Sequence, residues 1–128
     1  MKAKELYEYT KRAGCTLFIG VPDSLLNSFM KDLRKNDEEV IIATHESLAM
    51  GIAVGATMAG RSVCVFLQNS GVGNLINPIT SLCRPYEIYP LVAIGHRHTL
   101  PQHRVMAQLD DKLMQQVGYL NYVIVEED

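Results

Sequence analysis

Glu46 is the one formal charge between Glu39 and Arg61. It opens the run Ser47-Leu-Ala-Met-Gly-Ile-Ala-Val-Gly-Ala-Thr-Met-Ala-Gly60, which is apolar or small nearly all the way round. A helix of that composition is expected to be buried rather than amphipathic. Burial disfavours a charged carboxylate in its first turn, whereas the helix N-terminus favours it. Such a group can share a proton with a ligand; its plainer role is to offset the helix dipole. A second stretch, Gln68-Asn-Ser-Gly-Val-Gly-Asn74, brings amides and two glycines together. Glycine lets the backbone approach a flat ring or an anion, because no Cβ intervenes. The stretch is no dinucleotide fingerprint, since Ile76 stands where a third glycine is needed. Its plainer role is a tight strand-to-helix turn. A third stretch holds His96, Arg97, His98, His103 and Arg104. Imidazole titrates near neutrality and suits general-acid work, and arginine suits anions. The spacing of these histidines with His45 matches no compact zinc motif, and no metal ligands are assigned.

The elements that position these groups follow from the hydrophobic pattern. Residues 3–13 read as a helix stopped by Gly14, and Thr16–Gly20 as a first strand. Val21-Pro-Asp-Ser24 turns into a helix that Asp23 or Ser24 can cap, with Leu25, Leu26, Phe29, Met30 and Leu33 at helical spacing. Val40–Ala43 is a short strand, and Thr44 can cap the helix that carries Glu46. Ser62–Gln68 is a nearly continuous apolar run, as in a central parallel strand. Leu75–Leu82 begins a helix that tolerates Pro78 in its first turn. Arg84–Pro90 reads as loop, Leu91–Gly95 as strand, and His96–His103 as a polar loop. Gln108–Val117 is an amphipathic helix and Asn121–Val125 a last strand. Strands alternate with helices, which predicts an α/β fold: a three-layer αβα sandwich around a mainly parallel sheet. Ligands bind beyond the carboxyl ends of such strands. The turns at Gly20–Ser24, Thr44–Glu46, Gln68–Asn74 and Gly95–His103 are therefore the ones expected to carry a site.

The 128 residues fit a single domain, 1–128, with a real core. Composition is 48% hydrophobic and 20% charged, which suits a globular chain. The net charge of −2 gives no basic surface for nucleic acid or anionic lipid. No apolar run is long enough to cross a membrane, and the first residues lack the apolar core of a signal peptide. Cys15, Cys64 and Cys83 are odd in number and far apart, which points to reduced thiols in the cytoplasm.

Three segments resemble the pyrimidine-binding domain of thiamine-diphosphate enzymes, above all the sulfopyruvate and phosphonopyruvate decarboxylases. They are Gly20-Val-Pro-Asp-Ser-Leu-Leu26, His45-Glu-Ser-Leu-Ala-Met-Gly-Ile-Ala-Val-Gly55, and Gln68-Asn-Ser-Gly-Val-Gly-Asn74 with Asn77-Pro78 and Thr80-Ser-Leu82 after it. Ile94-Gly-His-Arg97 and Pro101-Gln-His103 are similar too. The resemblance implies the thiamine-diphosphate-binding fold and a catalytic role for Glu46, whose carboxylate would hydrogen-bond a ring nitrogen of the aminopyrimidine. Gln68, Asn69, Ser70, Gly71 and Asn74 would line the cofactor beside it. Asp23, Ser24, Arg97 and His103 would face the substrate, with Arg97 holding its anionic end and His103 giving a proton. Ser47 stands where the family commonly has glycine, and His98 follows Arg97 where glycine is usual.

Single-chain relatives carry a second domain with a Gly-Asp-Gly and a later Asn-Asn that hold magnesium and the diphosphate; neither motif occurs here. The resemblance thus implies the α subunit of a split, hetero-oligomeric decarboxylase. Thiamine diphosphate would lie against a β partner that holds Mg2+. The implied substrate is a short anionic 2-oxo acid, sulfopyruvate first and phosphonopyruvate second. A non-catalytic cofactor-binding or regulatory module, and a stand-alone flavodoxin-like binding domain, are the readings from other classes. The retained Glu46 speaks against the first, and the apolar surface of its helix against the second.

Overall fold

The computed structural model describes every residue from Met1 to Asp128. Five strands form one parallel sheet: β1 (Leu17–Gly20), β2 (Glu39–Ile42), β3 (Val63–Gln68), β4 (Leu91–Gly95) and β5 (Tyr122–Val125), in the spatial order β2-β1-β3-β4-β5. β1 and β4 are buried throughout, and β3 in all but its last residue, as their unbroken apolar runs require. Successive side chains alternate between two cores. Ile19, Val65, Leu67 and Ile94 enter one, and Phe18, Cys64, Phe66 and Ala93 the other.

Helices α1 (Ala3–Arg12) and α2 (Asn27–Lys35) cover the second core. Phe29 bridges Phe18 and Phe66 there in edge-to-face contacts of 5.9 Å each. The first core lies under α3 (Glu46–Met58), a helical segment over residues 69–86, and α6 (Pro101–Gln116). The segment over 69–86 is irregular. A 3₁₀ stretch Asn69–Leu75 leads into the α-turn α4 (Ile76–Pro78), a π-turn Ile79–Cys83 and the α-turn α5 (Arg84–Tyr86).

The chain runs from β1 outward to β2, then back past β1 to β3. That reversal makes the carboxyl ends of β1 and β3 the topological switch point. The strands meet there without a side chain between them: a Cβ on Gly20 would stand 2.0 Å from the Phe66 carbonyl oxygen. The expected αβα sandwich is the one observed.

Several boundaries differ from the sequence expectation. His45, not Thr44, caps α3, its Nδ1 accepting from the Ser47 N–H at 3.1 Å. Helical turns continue through Arg84–Tyr86 and end at Glu87, which adopts the left-handed conformation at φ 56°. α6 begins at Pro101 rather than Gln108, because proline at a first helical position has no N–H to lose. His103 thus sits on a helix turn and not in a loop. Neither Asp23 nor Ser24 caps the turn Ser24–Leu26 that leads into α2; both side chains bond Arg97 instead. α3 buries one face only, through Ala49, Met50, Ala53 and Val54. Its other face leaves Leu48 50% and Met58 70% exposed, with open space beside Gly51 and Gly55.

Candidate functional site

Glu46 is the first residue of α3 and is half-buried. Its Oε2 accepts a hydrogen bond from Asn74 Nδ2 at 2.8 Å, and its Oε1 accepts none within the chain. Ser47 Oγ donates to the Asn74 carbonyl at 2.5 Å, so the first turn of α3 grips Asn74 by both backbone and side chain. Gly71 lies under the same carboxylate: a Cβ there would stand 2.5 Å from Oε1 and 2.6 Å from the carboxyl carbon. Only glycine lets the 3₁₀ turn and the glutamate share that space.

The substrate-side residues meet next to this turn. Arg97 Nε donates to both oxygens of Asp23, at 2.9 and 3.2 Å, and Arg97 Nη2 donates to Ser24 Oγ. The ion pair is largely buried, with side chains 20% and 7% exposed. Arg97 is therefore partnered rather than free, and what remains for an anion is the rest of its planar fork of donors. His103 Nδ1 lies 3.1 Å from Gln68 Nε2. With the amide nitrogen as the donor of that contact, the neutral ring carries its proton on Nε2.

Ser70 is exposed on the turn, whereas Asn69 is wholly buried. The Asn69 amide donates to the Arg97 carbonyl at 2.9 Å and to Asp110 Oδ2 at 3.3 Å, so it anchors the turn from within. Asp110 also lies 2.6 Å from His96 Nδ1. Asp110 did not stand among the expected site residues, and His96 stood only as one of the histidines of the third stretch, without a role of its own. In the sequence Asp110 is one charge on an amphipathic helix, and no short-range pattern links it to His96.

The arrangement is a surface, not a pocket. The two concavities of the chain lie at the opposite, amino end of the strands, one against Cys15, Arg61, Ser62 and Val63, the other against Gly118 and Leu120. The apolar outer side of α3 begins beside Glu46 at this open edge. No helix is long and apolar enough to cross a membrane. A half-exposed carboxylate with one oxygen free, set against bare glycine backbone, fits the ring nitrogens of a flat heterocycle.

Comparison with known proteins agrees with this geometry. Residues 2–117 match the model of the thiamine pyrophosphate enzyme N-terminal TPP binding domain. Sulfopyruvate decarboxylase subunit alpha of Methanocaldococcus jannaschii is 34% identical over 105 residues, which is 81% of this chain and 62% of that protein. The same subunit of Methanococcus maripaludis is 34% identical over 111 residues, 85% of this chain and 66% of that protein. Phosphonopyruvate decarboxylase of Streptomyces viridochromogenes is 33% identical over 107 residues, 79% of this chain and 27% of that protein. The chain thus spans just under two thirds of the length of the two alpha subunits. Among solved structures, 2-oxoglutarate:ferredoxin oxidoreductase from Magnetococcus marinus has the same fold, with a TM-score of 0.64 at 13% identity, over 98% of this chain and 28% of that one. The match over residues 2–117, with relatives a third identical over most of the chain, shows that it belongs to the family of thiamine pyrophosphate enzyme N-terminal TPP binding domains.

Proposed function

We propose that this chain is the pyrimidine-holding subunit of a thiamine diphosphate-dependent decarboxylase of a short anionic 2-oxo acid, with 3-sulfopyruvate as substrate and sulfoacetaldehyde and carbon dioxide as products. The observation that carries the reading is the fit of Glu46 against Gly71, with Asn74 holding one carboxylate oxygen and the other left free. A non-catalytic module has no need of that fit. Alpha subunits of sulfopyruvate decarboxylase among the relatives support the substrate.

When bound, thiamine diphosphate accepts the electron pair that departing carbon dioxide leaves behind. Glu46, with Oε1 free, would hold the aminopyrimidine and share a proton with it, and Asn74 fixes the carboxylate through Oε2. Gln68, Ser70, Gly71 and Asn74 line the ring, while Asn69 holds the turn from inside. Asp23 and Ser24 orient Arg97, whose remaining donors face the sulfonate. His103, with its proton on Nε2, supplies the proton that replaces the carboxyl group.

A β partner that holds Mg2+ and the diphosphate completes the site, and the two form a hetero-oligomer in the cytoplasm. The open site, the uncovered apolar side of α3 and the subunit names of the relatives support a partner; the free thiols at Cys15, Cys64 and Cys83 support the compartment. Phosphonopyruvate is the second reading, favoured by a relative that is 33% identical.

The test is to tag the chain, purify it with its associated protein, add thiamine diphosphate and magnesium, and measure carbon dioxide release from each acid. Release from sulfopyruvate that requires the associated protein is expected. Release from phosphonopyruvate alone would exchange the substrate, and a complex with bound cofactor that decarboxylates neither would overturn the reading.

A further inference from the structure

A buried carboxylate–imidazole pair lies behind the glycine-rich turn. Asp110, on α6, is 2% exposed. Its Oδ2 is 2.6 Å from His96 Nδ1 and 3.3 Å from Asn69 Nδ2, and its Oδ1 accepts from the Asp111 N–H at 2.7 Å. Asn69 also donates to the Arg97 carbonyl, and its own buried Oδ1 has no partner. An internal polar network with an unpaired acceptor is not what stability alone favours, and it ties the turns after β3 and β4 to the middle of α6. These are the elements that carry Gln68, Arg97 and His103.

A carboxylate with its oxygens engaged by donors can only accept, so the His96 proton sits on Nδ1. In the neutral ring Nε2 is then the bare, accepting nitrogen. His103 is held the other way, with Gln68 donating to Nδ1 and the proton on Nε2. Both imidazoles lie at the connection between β4 and α6, His96 as its first residue and His103 in the first turn of α6; with the rings neutral, their Nε2 groups would be one acceptor and one donor. His96 keeps 18% of its side chain exposed, so its ring is not sealed in with Asp110. The other titratable groups around it are accounted for. The His98 ring lies 5.4 Å away on the same turn, Arg97 turns to Asp23, and the Asp111 carboxylate turns to Tyr122 and Gln115.

We propose that His96 is a second substrate-side imidazole, the hydrogen-bond-accepting counterpart of His103, and that Asp110 is the positioning residue that fixes its tautomer. This rests on the decarboxylase reading for its role, but not for its geometry. An acceptor at that place orients a hydroxyl group or a water molecule at the reacting carbon, where His103 gives a proton.

The test has two arms. In ¹⁵N-resolved NMR of the full chain, His96 is identified by the loss of its signals in His96→Gln. Its neutral ring is expected in the Nδ1–H form, opposite to the usual preference, with His103 in the Nε2–H form. In Asp110→Asn, the new amide turns its NH₂ to the ring and His96 is expected to change to the Nε2–H form. In the complex with its partner, His96→Gln is expected to lower kcat for sulfopyruvate at least about tenfold with KM within about twofold, thiamine diphosphate binding being unchanged. Asp110→Asn is expected to move kcat in the same direction. His96 in the Nε2–H form in the wild type, or an unchanged kcat in His96→Gln, would overturn the proposal. A wild-type complex that decarboxylates nothing would overturn the function proposed above, and the NMR arm would still decide the pair.

Discussion

The carboxylate of Glu46 occupies the place of a side chain at residue 71: Oε1 lies 2.5 Å from where a Cβ on Gly71 would stand. Glu46 is half-buried and flexible, so an added methyl can be relieved by its swinging out to solvent. Gly71→Ala is therefore expected to leave the melting temperature within a few degrees of wild type. It is expected to weaken thiamine diphosphate binding by the partner-bound complex at least about tenfold, the equivalent of about 1.4 kcal/mol. Calorimetric titration beside a thermal melt checks both.

Asn74 holds Glu46 from the other side, at 2.8 Å. Asn74→Asp replaces a donor with a second carboxylate, and like charges at that distance resist joint ionisation. Cofactor binding is expected to fall at pH 8 and to recover partly as pH is lowered and one of the pair takes up a proton. Binding that is independent of pH would show that the two side chains do not act together.

The outer side of α3 can be tested with changes of opposite sign. No atom lies within 4 Å of a Cβ built on Gly55, and glycine within a helix costs about 0.5–1 kcal/mol relative to better helix formers. Gly55→Leu should hold or raise the melting temperature of the isolated chain. In the complex the same leucine should obstruct the partner, so co-purification is expected to drop. A stabilised chain that binds its partner normally would move the interface away from α3.

The thiols supply a prediction about pH. Burial raises the Cys83 thiol from 9.0 to about 11 and pushes Cys64 well up. All three cysteines are buried, so the native chain is expected to resist alkylation at pH 8 and to react fully in denaturant. The folded state holds these protons more tightly than the unfolded state. Their contribution is therefore fully present below about pH 9 and is lost as pH rises towards about 11. Thermal melts across that window should show a falling melting temperature. In Cys83→Ala the fall should be shallower.

Much of the frame was legible in the residues. Unbroken apolar runs marked the central strands, and Glu46 with Gln68–Asn74 marked two turns that do meet, through Gly71 and Asn74. Periodicity stops short where a residue has two uses. Pro101 reads as a loop signal, yet it suits a first helical position, so the start of α6 and the setting of His103 were hidden. The uniform apolar character of α3 suggests burial on all sides, but a single chain covers only one of them. Asn69 reads as a surface amide of a glycine-rich turn, and only tertiary packing turns it inward to Asp110. The Asp110–His96 contact links two elements through the fold and leaves no mark in local spacing.

The most direct measurement is carbon dioxide release from sulfopyruvate by the complex that carries Glu46→Gln, with thiamine diphosphate and magnesium present. The glutamine keeps the size of the side chain and an oxygen for Asn74, but it cannot share a proton with the aminopyrimidine. A fall in kcat of at least about a hundredfold is expected, with the complex intact. Turnover within a fewfold of wild type would contradict the place given to Glu46, and with it the claim that this chain provides the pyrimidine half of the site.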